Sequence, residues 1–154
     1  MSRLQGKVAI ITGSSRGIGK AIAIELAQKG VSIVLNGRDS SRLEETAKEL
    51  KKIHKNIISV CCDVSIAGQS KDMVSQAIEN FGKLDILINN VGVSMRGNVA
   101  ELNPDVYKSV FESNVLGAIN PTIPALNELR KTQGSLVFIS SLAGIRGLPY
   151  LSAY

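Results

Sequence analysis

The stretch Thr12-Gly13-Ser14-Ser15-Arg16-Gly17-Ile18-Gly19 constrains this chain more than any other. It lies between the uncharged run Val8-Ala9-Ile10-Ile11 and the segment Ala21-Ile22-Ala23-Ile24-Glu25-Leu26-Ala27. The first reads as a strand buried on both faces. Ile18, Ile22 and Leu26 recur every four residues, which predicts a helix with one apolar face. In that context each glycine has a physical use. Gly13 supplies the φ > 0 of a sharp turn. Gly17 lets the backbone approach a pyrophosphate, and Gly19 lets the helix lie close on the sheet. The unpaired N–H groups of the helix start favour a diphosphate. The spacing is G-x-x-x-G-x-G and differs from the G-x-G-x-x-G fingerprint. No Gly-Lys-Ser/Thr follows, which excludes a P-loop. An ordinary tight turn is the other reading of the same glycines.

Further apolar runs predict strands at Val31 to Leu35, Ile57 to Cys61, Leu84 to Ile88 and Ser135 to Ile139. Between them lie helix patterns from Ile18 to Lys29, from about Ser41 to Lys52, and from Gln69 to Phe81. Gly30 and Gly82 end the first and third of these. Ser41 and Glu44 have capping-box spacing, with Asp39 as a rival N-cap. Asn103-Pro104 starts a long helix. Pro121 and Pro124 predict a kink or break in it near Asn120. Strands alternating with helices imply an α/β fold with a doubly wound parallel sheet. Right-handed crossovers give the strand order 3-2-1-4-5 in a single domain, 1–154. The ligand crevice then lies beyond the C-terminal strand ends, where Gly13, Arg38, Asp63, Asn90 and Ser141 converge.

Composition narrows the function classes. With 44% hydrophobic and 20% charged residues the chain is globular. No apolar run is long enough to span a membrane. Met1 to Gly6 lack a signal-peptide core, so a cytoplasmic location is the default. Cys61 and Cys62 are adjacent in a strand pattern, so they point to opposite faces and are expected to be buried free thiols. No metal site is expected, since two cysteines are too few ligands for zinc. The net charge is +5, with the densest basic cluster at Lys48, Lys51, Lys52, His54 and Lys55. That cluster reads as a solvated helix C-terminus in preference to a nucleic-acid patch.

The motif Thr12-Gly-x-x-x-Gly17-Ile-Gly19 resembles the cofactor motif of the short-chain dehydrogenase/reductase family, and the resemblance runs from Lys7 to Tyr154. It implies that Gly13, Ser15, Arg16, Gly17, Ile18 and Gly19 bind a nicotinamide dinucleotide. Gly37 stands where NAD-preferring members carry Asp, while Arg38 and Arg16 stand where NADP-preferring members carry cations. A guanidinium holds phosphate bidentately and a carboxylate repels it, so NADP is favoured over NAD. Asp39 is the one argument for NAD, and its other reading is a helix N-cap. The resemblance further places Asp63 and Val64 at the adenine, with a turn cap as the alternative for Asp63. Asn89-Asn90-Val91-Gly92 is similar to the family's Asn-Asn-Ala-Gly, which puts Asn90 and Gly92 at the cofactor ribose. Two such amides can equally tie neighbouring strands together.

The resemblance also implies a catalytic set. Asn114, in Asn-x-x-Gly117, matches the helix Asn that holds a water in a proton relay. Ser141 precedes Tyr154 by 13 residues, the family's offset, and Tyr154 lies in Ser-Ala-Tyr. Ser140 is expected to point away. The hydroxyl of Ser141 would hold the carbonyl oxygen while Tyr154 delivers the proton. Free tyrosine titrates near pKa ~10 and needs a neighbouring cation to work at neutrality. The family places that ammonium four residues after the Tyr, a position beyond the 154 residues. The expectation is an N-terminal part of a longer domain, lacking its C-terminal strands and inactive alone. The whole protein would be a homo-oligomer acting on a small carbonyl or alcohol. A nucleotide-binding module without catalysis is the alternative function.

Overall fold

The computed structural model describes residues 3–154. Met1 and Ser2, part of the stretch read for a signal peptide, lie outside the described residues. Five parallel strands form one sheet: β1 (Val8–Ile11), β2 (Ser32–Gly37), β3 (Ile57–Cys61), β4 (Ile86–Asn89) and β5 (Ser135–Phe138). Their order is β3-β2-β1-β4-β5, as right-handed crossovers require. The helices are α1 (Gly17–Gln28), α2 (Ser40–Lys51), α3 (Ala67–Phe81), α4 (Pro104–Phe111) and α5 (Gly117–Thr132).

Strand alternation sorts the core onto two faces. Ala9, Ile11, Ile33 and Leu35 pack with Ala23 and Ala27 of α1 and Leu43 and Leu50 of α2. Ile10, Val34 and Leu87 face the other way, onto Met73 and Ala77 of α3 and Ala125 and Leu129 of α5. The sheet is therefore covered on both sides along β1, β2 and β4. β5 differs: Val137 and Phe138 are exposed.

The buried face of α1 departs from the sequence reading. Gly19, Ala23 and Ala27 are its buried residues, while Ile18 is 63% exposed. Small residues bring the helix backbone close to the sheet, and Ile22 and Leu26 pack only partly against the core. At α2 the rival caps are resolved. Asp39 is the N-cap and its side chain accepts from the Arg42 N–H at 3.1 Å.

The long helix also differs from expectation. It is interrupted by a π-turn at Glu112–Leu116, upstream of the expected break near Asn120. Both prolines lie inside α5. Neighbouring side chains fasten the proline-bearing turns. Thr122 Oγ1 donates to the Ala118 carbonyl at 2.7 Å. Asn120 Nδ2 donates to the carbonyls of Val64 (3.2 Å) and Ser65 (2.7 Å). The irregularity falls at the π-turn that carries Asn114.

At the opposite edge from the strand C-termini, Asp85 clamps β1 to β4. Its side chain is 3% exposed, accepts from Val8 N–H at 2.9 Å, and pairs with Lys7 (2.9 Å) and Lys83 (3.1 Å). Burial acts to raise its pKa, but the hydrogen bonds from Lys7, Val8 and Lys83 outweigh it and hold the carboxyl below its usual value. A depressed native pKa stabilises above the unfolded value near pH ~4 and is lost as pH falls through the native one. Asp85→Ala leaves the Val8 N–H without its partner and is expected to cost about 1–3 kcal/mol at pH 7. Urea unfolding at pH 7 and pH 3 checks this: the gap between the two proteins should narrow at the lower pH.

Candidate nucleotide and active site

The loops after β1, β2, β3 and β4 close around a cavity of about 440 Å³. Ten of the residues read from the sequence line it: Gly13, Ser15, Arg16, Gly17, Ile18, Arg38, Asp63, Val64, Asn90 and Gly92. Gly19 lies behind this wall. An added Cβ there would meet Asn90 Nδ2 at 2.5 Å and the Gly13 carbonyl oxygen at 2.6 Å.

Hydrogen bonds fix the glycine turn to its neighbours. Gly13 has φ +62°, and its N–H donates to Asn36 Oδ1 at 3.2 Å. Ser14 Oγ donates to the Ile11 carbonyl (2.8 Å) and accepts from the Asn36 N–H (2.9 Å). Asn36 Nδ2 reaches the carbonyls of Val60 (3.3 Å) and Cys62 (3.2 Å). One side chain thus ties the ends of β1, β2 and β3 together. Sequence reasoning missed Asn36, although an amide closing the apolar run Val31 to Leu35 was the signal. Asn90 makes the matching tie from β4. Its Nδ2 donates to the carbonyls of Thr12 (2.9 Å) and Gly13 (3.2 Å).

The electrostatics of the cavity suit an anion. α1 has no side-chain cap and no acidic residue in its first turn, so its leading N–H groups are left to a ligand or water. Arg16, Arg38 and Arg42 all line the cavity. Arg38 Nη1 lies 3.5 Å from Asp63 Oδ2, while Asp63 Oδ1 accepts from the N–H (2.9 Å) and hydroxyl (2.7 Å) of Ser65. Asp63 is therefore also the turn cap. Burial acts to raise its pKa, but the Ser65 hydrogen bonds and the Arg38 charge hold it below the usual range. An open helix N-terminus, a glycine turn and three guanidinium groups suit the anionic diphosphate of a dinucleotide.

The two thiols behave differently from expectation. Cys61 is exposed, because β3 is an edge strand, and Cys62 lines the cavity. Burial, with help from Cys61 and Asp63, pushes the Cys62 thiol up to about 11.

A second cavity, of about 210 Å³, shares Val91 and Gly92 with the first. Asn114, Ser141 and Tyr154 line it together. Ser140 lines it too, contrary to strand alternation, because β5 ends at Phe138 and the pleat no longer applies. Ser141 Oγ accepts from the Ala143 N–H at 3.2 Å, which leaves its proton free to donate outward. Asn114 Oδ1 accepts from the Val93 N–H (2.7 Å), and its Nδ2 donates to the Val93 carbonyl (2.9 Å). The partner of its side chain is thus the loop after β4. The segment leading to Tyr154 is tied to the same loop and to α4. Gly97 N–H donates to the Tyr150 carbonyl at 3.0 Å, and Tyr107 Oη lies 2.9 Å from Ser152 Oγ.

A model of the short chain dehydrogenase family matches residues 7–154. The chain belongs to this family. Versicolorin reductase of Emericella nidulans is 35% identical over 153 residues, covering 99% of the chain and 58% of that protein. Among solved structures, an alcohol dehydrogenase from Thermococcus sibiricus complexed with 5-hydroxy-NADP superimposes with TM-score 0.92 at 34% identity. That match covers 96% of this chain and 63% of the other. A family member from Burkholderia phymatum in complex with NAD gives TM-score 0.95 at 31% identity, covering 100% and 56%. The chain spans about three fifths of the length of the curated relatives it first matches. Family neighbours hold either dinucleotide. Among the described residues no helix is long and apolar enough to cross a membrane, and no group of three or more His, Cys, Asp or Glu could hold a metal ion.

Proposed function

We propose that the whole protein is an NADP-dependent oxidoreductase that reduces a small carbonyl compound or oxidises the corresponding secondary alcohol. The observation that carries this reading is the adjoining pair of cavities. One presents an open helix N-terminus and arginines, and the other gathers Asn114, Ser141 and Tyr154. The dinucleotide, when bound, supplies or accepts the hydride. Gly13, Ser15, Gly17, Ile18 and Gly19 hold its diphosphate against α1. Asp63 and Val64 hold the adenine, and Asn90 and Gly92 flank the ribose. Ser141 donates its free proton to the substrate oxygen, stabilising the charge that develops there. Tyr154 delivers the proton that completes the alcohol, and Asn114 holds the β4 loop beside them both. Consumption of NADPH by the whole protein against a panel of ketones tests the reading; NADPH binding without any turnover would favour a nucleotide-binding module instead.

NADP is favoured because Arg16 and Arg38 line the cavity and Gly37 carries no acid where β2 ends. Asp39, the one candidate acid for a ribose diol, is committed to capping α2. Arg38→Ala is expected to weaken NADPH binding by about 1 kcal/mol, the low end for a charge-assisted contact because Arg38 is 68% exposed, and to leave NADH unchanged. Calorimetric titration of both nucleotides checks it, and equal losses for the two would count against NADP.

The same proposal includes self-association and a cytoplasmic location. Phe111, Val115, Ile119, Ile123 and Leu126 form an exposed apolar stripe along α4 and α5, suited to a second copy. Two unpaired thiols accord with a reducing compartment.

A further inference from the structure

We propose that Arg42 is a third phosphate-reading cation of the nucleotide site and that Asp39 restrains it. The inference rests on the NADP reading above and extends it to a residue outside the motif. Arg42 stands in the first turn of α2 and lines the same cavity as Arg16 and Arg38. Its guanidinium is held only loosely, with Nε 3.8 Å from Asp39 Oδ2, and both side chains are half exposed. That leaves the terminal N–H groups of the fork available for a second, planar partner.

Asp39 works against this. One of its oxygens accepts from Ser41 Oγ (2.9 Å) and the Arg42 N–H (3.1 Å). These hydrogen bonds hold the carboxyl below its usual pKa, so it stays ionised wherever the protein is folded near neutrality. Its other oxygen faces Arg42. A dianionic phosphate entering beside α2 thus gains Arg42 but meets a fixed negative charge at the same turn. Asp39 and Arg42 together set how strongly the site separates a 2′-phosphorylated nucleotide from one with a free ribose diol. Asparagine keeps the N-cap hydrogen bond and removes the charge, which isolates the electrostatic role from the structural one.

The test compares adenosine 2′,5′-bisphosphate with AMP, two ligands that differ only in the phosphate concerned, by calorimetry on the folded chain. Arg42→Ala should reduce the preference for the bisphosphate about five- to tenfold, with AMP affinity unchanged. Arg42→Lys should fall between, since it keeps the charge and loses the fork. Asp39→Asn should raise the preference about two- to threefold. Far-ultraviolet dichroism confirms that each variant is folded. A preference that survives Arg42→Ala, or one that falls in Asp39→Asn, would overturn the inference and leave the NADP reading standing. Equal affinity of the unsubstituted chain for the two ligands would overturn both.

Discussion

Gly19→Ala is expected to weaken nucleotide binding at least tenfold while the chain still folds. The added methyl would approach both Asn90 Nδ2 and the Gly13 carbonyl oxygen far inside contact distance. These two groups are themselves hydrogen bonded, at 3.2 Å. To admit a methyl group, α1 must move off the sheet or Asn90 must release the turn. Either change displaces the helix N-terminus that faces the cavity. Overpacking of this kind costs about 1–3 kcal/mol of stability. The larger loss falls on binding, because phosphate recognition depends on where the leading N–H groups of α1 point. Gly68→Ala on α3 is the control, since an added Cβ there meets nothing within 4 Å. Urea unfolding and dinucleotide titration of both variants check the expectation. Affinity within twofold of the unsubstituted chain in Gly19→Ala would show that the turn is not the phosphate cradle.

Tyr154→Phe should lower turnover of the whole protein by about a hundred- to ten-thousand-fold, the usual worth of a positioned general acid. Phenylalanine keeps the ring and removes only the hydroxyl, so NADPH affinity should stay within about twofold. Ser141→Ala should reduce kcat by about a hundred- to a thousand-fold through loss of an oxygen-stabilising donor. Both residues line the cavity that adjoins the glycine-turn cavity at Val91 and Gly92. Single-turnover measurements separate the chemical step from product release. A Tyr154→Phe protein that turns over normally would remove Tyr154 from the chemistry and reduce the site to a binding pocket.

The strands were legible because a parallel sheet covered on both faces writes each strand as an uninterrupted apolar run. The cavity lining was legible for a related reason: loops that follow the strands meet at one sheet edge whatever their side chains. What escaped the sequence depends on contacts between distant segments. Spacing of four put Ile18, Ile22 and Leu26 on one apolar face, yet the close approach of α1 buries Gly19, Ala23 and Ala27 instead. Pro121 and Pro124 signal a disturbed helix, yet α5 runs unbroken through both, with Asn120 tied to the carbonyls of Val64 and Ser65. The irregular turn falls at Asn114, whose partner is Val93, 21 residues away. Asn36 looked like a strand end and proved to be the knot joining three strands. Arg42 carried no motif at all, and only the fold brings it beside Arg16 and Arg38.

Titration of the ¹⁵N-labelled chain with NADP⁺, followed by amide chemical shifts, tests the proposal that the cavity beyond the strand C-termini takes this dinucleotide. Saturable shifts are expected at residues 13–19, 38–42, 63–65 and 90–93, with little change at 48–55 or along 117–132. Shifts confined to the basic end of α2 around Lys51 and Lys55, or none at all, would contradict it.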